Sequence, residues 1–294
     1  MPRTALAAAL AIVTALFAAC AGAPGGGSAS TKLALVIGNA AYDNAPSLRN
    51  PVNDANDMCA ALRKVGFKTL CHTDLRDRAA FDARVKEYVD QLGPATVGVF
   101  YYSGHAVQAG NANFLIPTQV LPRTATENPL RVLYGVDELF DRLRQKTTRF
   151  QLVILDACRT DLFAPPPRSP SGRGPDSAVR SGLVRALESA PGVGNGLAPI
   201  THAPPDTMVL YATASKEAAY DGSGRNGPLT KHVLAHIGTN GLPVMDFLGL
   251  VTTGVKTETE RDYNKRQTPF IYGSYGGKFC FAGCPGEGVV PPIY

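Results

Sequence analysis

Two residues of this chain have the chemistry of a nucleophile and its proton acceptor, and each stands just past a short apolar run. His105 follows VGVFYYSG and Cys158 follows FQLVILDA. A thiol must lose its proton before it attacks a carbonyl carbon; a neighbouring imidazole can take that proton near neutral pH and return one to the leaving group. The pair therefore suits acyl transfer, provided that the fold brings it together. The runs in front of the two residues are continuous and rich in Val, Ile and aromatic side chains, as in strands covered on both faces of a parallel sheet. Such sheets bind ligands beyond the carboxyl ends of their strands. A core cysteine and an unrelated histidine are the common fate of these residue types, but strand-end placement of both favours the catalytic reading.

The rest of the chain supplies elements of the right kind. KLALVIG at 32–38 reads as a strand. Asn50 and Pro51 open a helix through Val52, Ala55, Met58, Cys59, Leu62 and Val65, which Gly66 stops. A strand at 67–71 follows, then a helix capped by Asp77 that buries Phe81, Val85, Tyr88 and Val89. Beyond the strand at 97–103 lie a short NFLIP strand at 113–117, a helix at 136–145, the FQLVILD strand, a strand at 208–213, two helices around Leu229–Ile237 and Val244–Val255, and a β-like FIYGSY segment. Strands alternating with helices predict an α/β fold with a mainly parallel central sheet flanked by helices. The length of 294 residues, 45% of them apolar, suits one domain, expected over 31–284 with a tail at 285–294. The net charge of +5 is spread along the chain, which gives a nucleic-acid partner little support.

Residues 1–30 read as a targeting segment. Arg3 precedes an apolar stretch at 5–19 of about 15 residues, too short for a membrane-spanning helix, which needs about 20. The following FAAC and AGAPGGGSAS resemble a lipoprotein signal, with Cys20 as the acylation site and a Gly/Ser spacer, although Phe17 stands where Leu is usual. Ordinary cleavage to a soluble periplasmic product and an uncleaved anchor are the alternatives. The chain is expected to be exported by a bacterium, periplasmic or lipid-anchored to the cell envelope, with no membrane contact other than that N-terminal lipid. Setting Cys20 and Cys158 apart leaves four cysteines. Proximity suggests Cys59 with Cys71 and Cys280 with Cys284; burial of Cys59 and Cys71 as small apolar residues is an equal alternative.

Beyond these local patterns, KLALVIGN, NPVNDANDM, FYYSGHAVQ, NFLIP, VILDACR, YATASKEAAYDGSGRNGPLT and the TPF segment occur in an order that resembles the caspase-like cysteine peptidases, in particular the bacterial relatives of metacaspases. The histidine lies about 50 residues before the cysteine, as in caspases. The resemblance implies a caspase-like sandwich, a cysteine endopeptidase with Cys158 as nucleophile and His105 as acid/base, and an oxyanion hole lined by the N–H groups of Cys158 and Ala106, where Gly is the commoner residue. It further implies substrate-binding roles for Asp156 and Asp54, whose carboxylates would prefer Arg or Lys on the acyl side of the scissile bond. Peptide or protein substrates with basic residues are the expected partners, with no cofactor and no metal. A caspase-like binding or regulatory module without turnover is the second reading, suggested by Ala106 and the flank CRTD.

Three further features need an assignment. GSGRNG at 222–227 satisfies a dinucleotide-type glycine pattern but stands too far from its strand to hold a pyrophosphate. His232 and His236, four apart on a helix, lack the intervening Glu of a zincin motif. The Pro- and Gly-rich stretch 164–206 reads as one long loop; it carries Arg168, Arg173, Arg180 and Arg185, which a peptidase specific for basic residues could cut in its own chain.

Overall fold

The computed structural model describes residues 31–43, 45–119, 128–157, 182–194, 197–200, 202–214, 219–220 and 222–285, so Cys20 and Cys158 lie outside the described residues. In chain order the elements are β1 (Thr31–Gly38), α1 (Pro51–Lys64), β2 (Lys68–Thr73), α2 (Arg78–Asp90), β3 (Thr96–Gly104), β4 (Ala106–Ala109), β5 (Ala112–Leu115), a 3-10 turn (Pro129–Val132), β6 (Tyr134–Gly135), α3 (Val136–Arg144), β7 (Phe150–Ala157), α4 (Gly182–Ser189), β8 (Val193–Gly194), β9 (Thr207–Tyr211), α5 (Pro228–His236), α6 (Val244–Tyr263) and β10 (Phe270–Gly273). Six strands form the central sheet in the order β10-β9-β7-β3-β1-β2. All are parallel except β10, which runs antiparallel to β9.

Both faces of this sheet are covered, which explains the unbroken apolar runs. Along β3, Val97, Val99 and Tyr101 join one core with Met58 of α1, Leu229 of α5 and Phe247 of α6. Phe100 and Tyr102 point the other way, into a core with Phe81 of α2 and Phe140 of α3. The expected α/β sheet is thus present. Pro51 opens α1, but Asn50 does not cap it with its side chain as expected. Asp77 does cap α2, accepting the Ala80 N–H at 2.8 Å.

A second, antiparallel sheet of order β6-β5-β4-β8 grows from the end of β3. It corrects the reading of 164–206 as one structureless loop, because α4 and β8 both fall within that stretch. Leu183, Val184 and Leu187 of α4 bury against Tyr42, Val107 and Ile116, and β8 pairs with β4. The surrounding prolines and glycines hide an apolar face only one turn long. Arg185 is exposed on this helix, whereas Arg168, Arg173 and Arg180 lie outside the described residues.

The four remaining cysteines pair as proximity suggests, Cys59 with Cys71 and Cys280 with Cys284. The first bridge ties α1 to β2. Lys32 at the start of β1 donates to the carbonyls of Val65 and Phe281 at 3.0 and 2.8 Å, so one ammonium joins the end of α1 to the C-terminal segment. No helix among the described residues is long and apolar enough to cross a membrane.

Two stability outcomes follow. Cross-linking Cys59 to Cys71, 12 positions apart in the chain, restricts the unfolded state, so the double change to Ala should cost about 3 kcal/mol in urea unfolding. An unchanged midpoint would show that the bridge does not restrict the chain. His72 on β2 has a buried Nε2 with no hydrogen-bond partner among the described residues, and burial, aided by the Arg84 charge, holds its pKa below the ordinary 6.5. The unfolded chain therefore takes up this proton first as the pH falls. Stability from this site is complete above about pH 6.5 and declines below it. His72→Leu should flatten that decline in melting curves between pH 7 and pH 5; an identical slope would show that another group causes it.

Candidate active site

His105 occupies the single residue between β3 and β4, at the carboxyl edge of the central sheet, and is 1% exposed. Its Nε2 lies 2.7 Å from the Pro46 carbonyl. A carbonyl only accepts, so Nε2 carries the proton and the neutral ring has its lone pair on Nδ1. Nδ1 is therefore the nitrogen able to exchange a proton. The backbone is held as firmly: the His105 N–H donates to the Tyr42 hydroxyl at 2.8 Å, and the Tyr102 hydroxyl donates to the His105 carbonyl at 2.7 Å. Tyr42 also packs its ring against the imidazole, with centroids 4.6 Å apart.

The loop that supplies Tyr42 and Pro46 is fastened at its root. The Asn39 N–H donates to the Ser103 carbonyl, its side-chain amide donates to the Ile116 carbonyl, and its Oδ1 accepts the Leu75 N–H. Asp74 accepts the N–H groups of Ala40 and Ala41 at 2.8 and 3.0 Å. Gly104 explains why no side chain precedes the histidine. A Cβ there would sit 2.5 Å from the Tyr102 hydroxyl and 2.6 Å from that of Tyr42.

Gly104 pairs with Ala157, the last residue of β7. Cys158, bonded to Ala157, lies outside the described residues. Ala106 opens β4 opposite Leu115, and the Ile116 N–H donates to the His105 carbonyl at 3.0 Å. That pattern makes Ala106 and Leu115 a non-hydrogen-bonded pair, so the Ala106 N–H turns away from β5. Its backbone is not in the positive-φ region, so alanine sits there without strain.

The two acids share a face of the sheet. Asp156 is the parallel partner of Ser103, and such partners point to the same side. Asp156 Oδ2 accepts from the Thr230 hydroxyl at 2.5 Å, and Thr230 has one hydrogen, so the Tyr101 hydroxyl, 2.6 Å away, donates to Thr230. Ser103 Oγ donates to Asp54 Oδ2 at 3.2 Å, while Asp54 Oδ1 accepts from Asn226 Nδ2 and the Gly227 N–H, both at 3.1 Å. Both carboxylates are buried, at 1% and 0% exposure. Ser103 stands between them and links α1, β3 and β7.

Sequence reasoning assigned no role of their own to Asn39, Tyr42, Asp74, Thr230 and Asn226, since a polar side chain carries no local sign of a buried partner. GSGRNG finds its explanation here: it precedes α5, and its Arg225, Asn226 and Gly227 lie against α1. His232 bonds Glu258 at 2.8 Å, and no group of three or more His, Cys, Asp or Glu among the described residues could hold a metal ion.

A buried imidazole thus stands at the carboxyl edge of the sheet, directly after Gly104, the sheet partner of the residue that precedes Cys158 in the chain. Residues 31–279 match the caspase domain family, and the chain belongs to that family of cysteine peptidases. Two curated relatives, the mucosa-associated lymphoid tissue lymphoma translocation protein 1 of Homo sapiens and its homologue in Mus musculus, are each 30% identical over 131 residues, which is 45% of this chain. The matched segment spans 15% of their length, so the likeness concerns this region alone.

The histidine's setting predicts that Tyr42→Phe, which removes the acceptor of a buried N–H, costs about 1–3 kcal/mol of stability. With His105 as the base, turnover would drop by about 10- to 100-fold, the effect of displacing such a group by about 1 Å. Urea unfolding and peptide hydrolysis on the same preparation check both, and wild-type values in each would remove Tyr42 from the positioning of His105.

Proposed function

We propose that the protein is an endopeptidase that cleaves after Arg or Lys by a Cys158 and His105 dyad. The observation that carries the substrate class is the pair of buried carboxylates, Asp54 and Asp156, on one face of the sheet's carboxyl edge. A carboxylate recognises a guanidinium or ammonium through charge-assisted hydrogen bonds and repels an acidic side chain. The caspase-domain family supports the cysteine peptidase chemistry.

In this mechanism His105 Nδ1 takes the Cys158 thiol proton, and the thiolate attacks the scissile carbonyl carbon. The N–H groups of Ala106 and Cys158 stabilise the oxyanion. Nδ1 then protonates the departing amine, leaving a thioester. A water molecule, deprotonated by the same nitrogen, attacks that thioester and releases the carboxylate product and the thiol. The Pro46 carbonyl holds Nε2–H throughout and stabilises the imidazolium. Export to the bacterial cell envelope, with Cys20 as a lipid site, is part of the proposal; two disulfides among the described residues support an oxidising compartment.

Asp156→Ala should lower kcat/KM for peptidyl-Arg substrates by about 100-fold, the effect of about 3 kcal/mol of charged hydrogen bonding. Cys158→Ala should remove turnover while leaving the melting temperature unchanged. Equal cleavage after Asp and Arg by the wild type would overturn the assignment of the acids, and residual turnover in Cys158→Ala would move the nucleophile elsewhere.

A further inference from the structure

The acids of the proposed pocket are held by a loop that has its own anchor. Residues 222–227 join the region after β9 to α5, turning at Gly222, where φ is +78°. From this loop Arg225 grips Asp57 with two bonds, Nε to Oδ2 at 2.8 Å and Nη2 to Oδ1 at 2.9 Å. Asn226 Nδ2 bridges two acids one helical turn apart on α1, lying 3.1 Å from Asp54 Oδ1 and 2.9 Å from Asp57 Oδ2. Asn53 of the same helix donates to the Arg225 carbonyl at 3.4 Å. Gly227 gives its N–H to Asp54 and is also the N-cap of α5, the helix whose Thr230 holds Asp156.

We infer that the Asp57–Arg225 pair is a positioning device for the basic-residue pocket: by docking residues 225–227 on α1 it orients the Asp54 carboxylate and sets the start of α5 beside Asp156. This rests on the reading of Asp54 and Asp156 as the acids that recognise the substrate. The fork-on-carboxylate geometry is the one that only arginine provides, and a lysine would lose the second bond. Asp57 is held below the ordinary carboxylate pKa chiefly by its bond to Arg225, in keeping with a formed pair. Arg225 is largely exposed, so its removal leaves the core intact. The loss of an exposed pair is small in stability, but here it frees the loop that supplies two donors to Asp54, Asn226 Nδ2 and the Gly227 N–H.

The test compares the full chain with Arg225→Ala, Arg225→Lys, Asp57→Asn and the charge exchange Asp57→Arg with Arg225→Asp, reading kcat and KM separately on peptidyl-Arg substrates. Amide hydrogen exchange over residues 222–230 is followed in parallel. Arg225→Ala and Asp57→Asn should each raise KM about fivefold with kcat within about twofold, and speed exchange of the Asn226, Gly227 and Leu229 amides. Arg225→Lys should fall between, and the charge exchange should recover both readouts in part. Unchanged exchange in Arg225→Ala overturns the clamp, and faster exchange with unchanged KM overturns its role in the pocket. A wild type that does not cleave after Arg overturns the substrate reading instead, and the exchange measurement then decides the clamp alone.

Discussion

The bond from His105 Nε2 to the Pro46 carbonyl is the interaction on which the rest of the site depends. An imidazole in bulk water samples both tautomers, and only a fixed acceptor beyond one nitrogen selects the other as base. Here that acceptor is main chain, so it has no side-chain rotamer freedom and no charge of its own to titrate. Everything around it serves to hold the carbonyl in place: Asn39 and Asp74 root the loop, Tyr42 spans the gap to the histidine backbone, and Tyr102 closes the other side. A buried polar cluster of this kind is stable only when each member is satisfied. Its members are tied to β1, β2, β3 and β5, so any slip of the sheet would break it.

The parallel sheet contributes through register more than through shape. With β3 between β1 and β7, Ser103 lies beside Gly38 on one side and Asp156 on the other, and Gly104 lies beside Ala157. Alternation along these strands then sorts the chemistry. Ser103, Asp156 and Tyr101 share the side of α1 and α5, whereas Tyr102 turns to the other core. A helix on each side thus receives a separate task from one short stretch of strand.

The strands β1, β3 and β7 were legible because burial on both faces leaves an unbroken apolar run, and their ends pointed to His105 and to Asp156. The four short strands of the second sheet were less so. Four residues or fewer give no usable periodicity, and the apolar side of α4 is a single turn set among prolines and glycines. Asn39, Tyr42 and Asp74 looked like ordinary turn residues, since a polar side chain beside a strand carries no sign of whether it faces water or a backbone amide. Most hidden was the meaning of GSGRNG, whose Arg225 meets Asp57 168 positions away in the chain. Local pattern could dismiss a phosphate loop there but could not supply the partner.

Lys32 gathers the beginning of β1, the end of α1 and the C-terminal segment at one border of the sheet, and the histidine and the acids lie at the opposite border. Eight residues of extended strand separate the two, a distance of about 26 Å. The chain preceding residue 31 enters at the Lys32 border. Any attachment through that leading segment would therefore act at the border farthest from His105 and the acids.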